Sequence, residues 1–262
     1  MIQQVKEGYV KVEREHGIAT IEFFHPQSNS LPAKILETLA SDIHSESLNP
    51  ETKVIVLKSA GDKTFCAGAS FDELVAINNE HDGLIFFMGF ANVINAMRKC
   101  NKLIIARVQG KCVGGGVGIV AAADYAIAVE GAEIKLSELT IGIAPFVVGP
   151  AIERKMGLSA FSQLAIDGGK WRTGDWARRK GLYAELHPSI ETMDDSIDGF
   201  SNVLAHSSTE AMHELKKVLW HGTDDWDHLL KERAAISGRL ILTKYAKDAI
   251  QKFKERVRSS QS

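Results

Sequence analysis

The chain has 262 residues, 45% of them apolar and 24% charged, with a formal net charge of −2. This is ordinary globular composition, long enough to bury a full core without disulfide or metal staples, and its near-neutral charge argues against a nucleic-acid binder that works through bulk electrostatics. No apolar run approaches the ~20 residues that span a bilayer. Gln3, Gln4, Lys6 and Glu7 leave no apolar block for a signal peptide, and Cys66, Cys100 and Cys112 show no CxxC spacing. Reduced thiols and a cytoplasmic location are expected.

In chain order, two short strands are predicted over residues 10–15 and 18–23, with His16-Gly17 as the hairpin turn. Pro32 suits the first turn of a helix that carries Ile35, Leu36, Leu39 and Ile43 at helical spacing. Residues 53–58 (KVIVLK) form a continuous apolar run with charged ends, as expected of a buried parallel strand. A loop over 61–70 and a helix over 83–98 follow, then buried strands at 103–108 and 125–129. After a second loop over 137–148 the chain turns helical. Short helices are predicted at 151–156, 160–166 and 175–180, and longer amphipathic patterns at 190–205, 210–219 and 225–257. Alternating strands and helices imply an α/β core over residues 1–200, with a helical region over 201–262.

The run Gly114-Gly115-Gly116 with Gly118 is the most unusual local feature. Glycine inside an ordered element costs roughly 0.5–1 kcal/mol against alanine, so the run calls for a reason. Close helix packing is the simplest one. Dinucleotide binding is a second, because Gly116 to Ala121 matches GxGxxA. The spacing opposes it: residues 109–113 separate the glycines from the preceding strand, and Glu130 follows Gly116 by only 14 positions, where about 20 are needed. The third reason is an oxyanion site, in which unpaired N–H groups at a helix start stabilise an oxygen that gains charge. Its second donor would come from the other small-residue loop, Cys66-Ala-Gly-Ala69.

Several motifs now combine. Phe65-Cys-Ala-Gly-Ala69-Ser followed by Phe71-Asp-Glu-Leu resembles the FxAGADLxEL signature of the crotonase (enoyl-CoA hydratase/isomerase) superfamily. Gln109 to Ile119 with Asp124 is similar to that family's NGxxxGGGxxL…D segment, and Ser137-Glu138 to Pro145 to its PExxxGxxP segment. Thr173 to Leu182 is similar to the helix before its GLV strand, and Phe253 to Arg256 to its terminal FxxKR. The resemblance runs in order over nearly the whole chain.

The resemblance implies a crotonase-like spiral of ββα units with a C-terminal helical trimerisation region, binding an acyl-CoA substrate as a homotrimer or hexamer. Carried over residue by residue, it makes the backbone N–H groups of Ala69 and Gly115 the grip on a thioester carbonyl and Glu138 the acid/base. It further implies that Asn29, Leu31, Ala67, Ser70, Phe71, Asp72, Gly114 and Phe146 border the substrate. No separate cofactor is implied, since coenzyme A is part of the substrate. The histidines show no ligand spacing, so no metal is expected either. The family's hydratases commonly carry a second carboxylate two residues after the GGG run, where this chain has Gly118. A single carboxylate can still move a proton from one carbon to another, which is isomerase logic. Two branches stay open: a methylglutaconyl-CoA hydratase-like one, and an enoyl-CoA isomerase-like one with IAPF, as in Ile143-Ala-Pro-Phe146. The other readings are a non-catalytic acyl-CoA-binding or RNA-associated scaffold that has lost one acid, and an NAD-binding oxidoreductase through the GxGxxA run. A desolvated Glu138 is expected to ionise above the usual carboxylate range.

Overall fold

A computed structural model describes residues 8–259. The N-terminal stretch read above against a signal peptide lies outside these residues up to position 7, as do the last three positions and the side chains of Phe253 and Arg256 in the terminal motif. The elements are, in order, β1 (Tyr9–Glu15), β2 (Ile18–Phe24), α1 (Ala33–Leu48), β3 (Val54–Ser59), β4 (Thr64–Cys66), α2 (Phe71–Ala76), α3 (Glu80–Lys99), β5 (Leu103–Val108), β6 (Lys111–Val113), α4 (Gly115–Ala122), β7 (Tyr125–Val129) and β8 (Ile134–Lys135). After a 3₁₀ turn at Glu138–Ile141 come α5 (Gly149–Ile166), α6 (Gly174–Arg179), β9 (Glu185–His187), α7 (Ile190–Ala205), α8 (Thr209–Leu219), α9 (Trp226–Leu240) and α10 (Lys244–Ser259).

The strands form a large sheet of order β1-β2-β3-β5-β7-β9 and a small one of order β4-β6-β8. Apart from the β1–β2 hairpin, all pairings are parallel. Three successive turns, beginning at β3, β5 and β7, each lay one strand in the large sheet, one in the small sheet and then a helix, which makes the spiral of ββα units. The continuous apolar strands are covered on both faces, as parallel strands require. Ile55, Leu57, Ile104 and Ala106 face the main core with α1 and α3. Val54, Val56, Ile105 and Ile127 face Met193 and Ile197 of α7, a helix that runs across position 200.

Differences from the sequence expectations have local causes. Pro32 caps α1 from outside and does not open its first turn. The predicted 61–70 and 137–148 loops hold β4 and the 3₁₀ turn, and β6, β8 and α2 add to the prediction. Three of these are two- or three-residue strands that form by pairing across the spiral, too short to show a period. The predicted 225–257 helical pattern breaks between α9 and α10. There Thr243 turns back on Leu240, and its hydroxyl accepts the Ala246 N–H at 3.3 Å.

The helical tail wraps its own core. A Cβ on Gly83 of α3 would lie 2.7 Å from the Cα of Gly238 in α9, so the two helices cross at a glycine–glycine contact. α10 lies against the 3₁₀ turn, and Leu74, Ile143, Ile241, Ala246 and Ile250 form one apolar cluster there. Among the described residues no helix is long and apolar enough to cross a membrane.

Candidate active site

The glycine run sits where the spiral's loops meet, directly after β6 and at the start of α4. Gly114 has φ 53° and ψ −115°, a conformation closed to residues with a Cβ, and its N–H donates to the Lys135 carbonyl of β8 at 2.9 Å. Each glycine also faces a different neighbour. An added Cβ would lie 2.9 Å from Glu138 Oε1 at position 114 and 2.2 Å from the Phe90 ring at 115. It would lie 2.5 Å from the Cys66 carbonyl at 116 and 2.5 Å from a Val148 methyl at 118. Close packing and site geometry are therefore the same fact: without side chains here, the acid, the first loop and α3 approach the helix start.

Two amides without a backbone acceptor lie in these neighbouring loops, among the described residues. Gly115 is the first residue of α4, so its N–H has no intrahelical acceptor. Leu31 bridges the 66–70 loop: its N–H donates to Gly68 at 2.8 Å and its carbonyl accepts from Ser70 at 3.1 Å. In this extended pairing the intervening Ala69 N–H points to the opposite side. Among the described residues, no backbone carbonyl takes up the N–H of Ala69 or that of Gly115. The loops are close, since a Cβ on Gly68 would lie 3.8 Å from the Gly115 nitrogen, and the φ of 93° at Gly68 demands glycine.

Glu138 opens the 3₁₀ turn beneath this corner. The residue as a whole keeps some exposure, yet Oε2 is sealed from solvent and has no hydrogen-bond partner among the described residues. Burial pushes the carboxyl up to about 7, with a small opposing pull from a backbone hydrogen bond.

The remaining predicted residues divide. Ala67 is half-buried in the loop and Leu31 is fully buried. The Asn29 amide is committed to the backbone: Oδ1 accepts from the His25 N–H, and Nδ2 donates to the Ala60 and Thr64 carbonyls, each at 2.9 Å. Its main-chain N–H is committed as well, donating to the His25 carbonyl at 2.9 Å. Ser70 caps α2 by accepting the Glu73 N–H. Asp72 is exposed and accepts from Gln27 at 3.1 Å. Phe71 joins the cluster under α10, and Phe146 is half-buried in the turn before α5. Cys66 is a buried thiol pushed up to about 12 by its apolar surroundings, which makes it inert as a nucleophile. Sequence reasoning missed Phe90 and Val148. Their contacts with Gly115 and Gly118 come from distant parts of the chain and leave no local signal.

Polar depressions elsewhere, one beside Asn95 and Asp227 and one beside Arg107 and Asp194, do not include the glycine run.

The enoyl-CoA hydratase/isomerase family model matches residues 13–260. The short-chain-enoyl-CoA hydratase of Clostridium acetobutylicum is 26% identical over 253 residues, covering 94% of this chain and 95% of its own length. A mitochondrial 3-hydroxyisobutyryl-CoA hydrolase of Gallus gallus is 28% identical over 233 residues, 80% of this chain and 58% of the hydrolase. The crystal structure of an enoyl-CoA hydratase from Bacillus halodurans superposes with a TM-score of 0.86 at 20% identity, covering 93% of this chain and 99% of that one. With the spiral fold and a family match from β1 to the end of α10, the chain belongs to the enoyl-CoA hydratase/isomerase family.

Proposed function

We propose that this protein is an acyl-CoA double-bond isomerase that works through an enolate, with Glu138 as its only acid/base. The observation that carries this reading is the Glu138 carboxylate, one oxygen against Gly114 and the other buried with no partner among the described residues, beside two amides that meet no backbone carbonyl there. The names of its relatives include hydratases and a hydrolase, so the reaction type is argued from the chain's own residues. Position 118, where a second carboxylate would stand, is glycine.

In this reading the Ala69 and Gly115 N–H groups hold the thioester oxygen of a 3-enoyl substrate. Glu138, as carboxylate, removes a proton from C2. The C–H electron pair moves into the carbonyl, whose oxygen becomes the enolate stabilised by the two amides. The Glu138 carboxylic acid then returns the same proton to C4, and the double bond closes between C2 and C3. No water is consumed, and Glu138 ends as it began. A carboxyl that ionises near 7 suits both halves of this transfer at neutral pH.

The family likeness carries a homotrimer or hexamer as part of this proposal, which sedimentation would test. The activity is tested with a panel of 2-enoyl-, 3-enoyl- and methylglutaconyl-CoA esters and product analysis. A moved double bond is expected. A hydroxylated product would replace isomerisation by hydration, and thioester binding without turnover would point to a scaffold.

A further inference from the structure

We infer that Val148 sets the reaction outcome by sealing water away from Glu138. The inference rests on Glu138 being the acid/base. Gly114 and Gly118 lie one turn apart at the start of α4, joined by the Gly118 N–H donating to the Gly114 carbonyl at 3.2 Å. Gly114 is the cap of α4 and Gly118 lies on its first turn. The Glu138 carboxylate covers the cap, and Val148 covers Gly118 with Cγ1 and Cβ at 2.5 and 2.7 Å from where a side chain would begin. The place one turn along from the acid is therefore filled by methyl groups from the residue that precedes α5.

The surroundings match. Val148 is 4% exposed and Ile143, one turn of chain past Glu138, is also 4% exposed. Glu138 Oε2 meets no donor among the described residues. A water beside a carboxylate needs two or more polar partners to be held, and on the side toward Gly118 the neighbour is the apolar carbon of Val148. Hydration needs a water delivered to C3 and a group to take its proton; Val148 and Gly118 supply neither. The proton that Glu138 removes is thereby kept for return to the substrate. Val148 thus acts as a specificity-determining residue, through the solvent it excludes.

Val148→Thr keeps the β-branched shape and places a hydroxyl where a methyl stood. Two measurements test the inference. The first is the infrared titration of the Glu138 carboxyl in the free protein, identified by its loss in Glu138→Gln. The second is the ratio of hydroxylated to isomerised product from 3-enoyl-CoA. In folded Val148→Thr the titration midpoint is expected to fall by about one unit and the hydroxylated share to rise on the order of tenfold. A folded variant with the parent's midpoint and the parent's product ratio would overturn the inference. If the parent turns over no enoyl thioester, the proposed activity fails, while the titration still decides whether Val148 seals the acid.

Discussion

Two carboxylates of this molecule, Asp124 and Glu138, have surroundings that could hardly differ more. Asp124, between α4 and β7, is saturated. Its Oδ2 accepts the Ile104 N–H at 2.7 Å and Lys216 Nζ at 2.6 Å, and its Oδ1 accepts the Trp220 indole N–H at 3.0 Å. Both members of the Asp124–Lys216 pair are almost fully buried. This arrangement bolts α8 to the large sheet and leaves both carboxylate oxygens engaged. Glu138 keeps an oxygen without a partner and ionises near 7. Burial with partners makes a structural strut, whereas burial without them makes a proton carrier.

The contrast can be broken at its sharpest point by Glu138→Gln. This change keeps the shape but removes the exchangeable proton, and turnover should fall on the order of 10²–10⁴-fold with thioester binding retained in a calorimetric titration. Asp124→Asn tests the opposite half. It strands Lys216, a buried cation, so unfolding in urea should show a loss of about 3–5 kcal/mol, while folded molecules keep their kcat. Gly115→Ala pushes a methyl into the Phe90 ring and displaces the amide with it. A loss in kcat on the order of 10² is expected, partly restored when Phe90→Ala is added.

The smallest effect is on stability against pH. The folded Glu138 carboxyl lies near 7 against an ordinary value of 4.5. Its contribution to the fold is thus complete below pH 4.5 and lost as pH rises through 7. Glu138→Gln, which has nothing to ionise, should match the parent at pH 4 and exceed it at pH 8 by about 1–3 kcal/mol in denaturant titrations.

Much of this architecture is legible in the sequence. The two apolar strands at 103–108 and 125–129 and the helix at 190–205 occur at the predicted bounds, because a doubly covered strand or an amphipathic helix imprints its own period. Gly157, with φ 79°, separates the two short helices predicted on either side of it within α5. The small sheet was not legible, since strands of two or three residues are specified by partners elsewhere in the spiral. At the site, the residues themselves pointed to both small-residue loops, and the resemblance added Glu138. What it could not supply was what covers each glycine. Val148 reaches Gly118 from 30 positions away, and nothing in either segment announces the contact.

The most direct test of the lone-acid account follows one atom. A 3-enoyl-CoA carrying deuterium at C2 is converted in ordinary water, and the 2-enoyl product is analysed by mass spectrometry and NMR for label at C4. Glu138 in a dry pocket predicts that deuterium taken from C2 reappears at C4. Product that carries only solvent protons at C4 would contradict it.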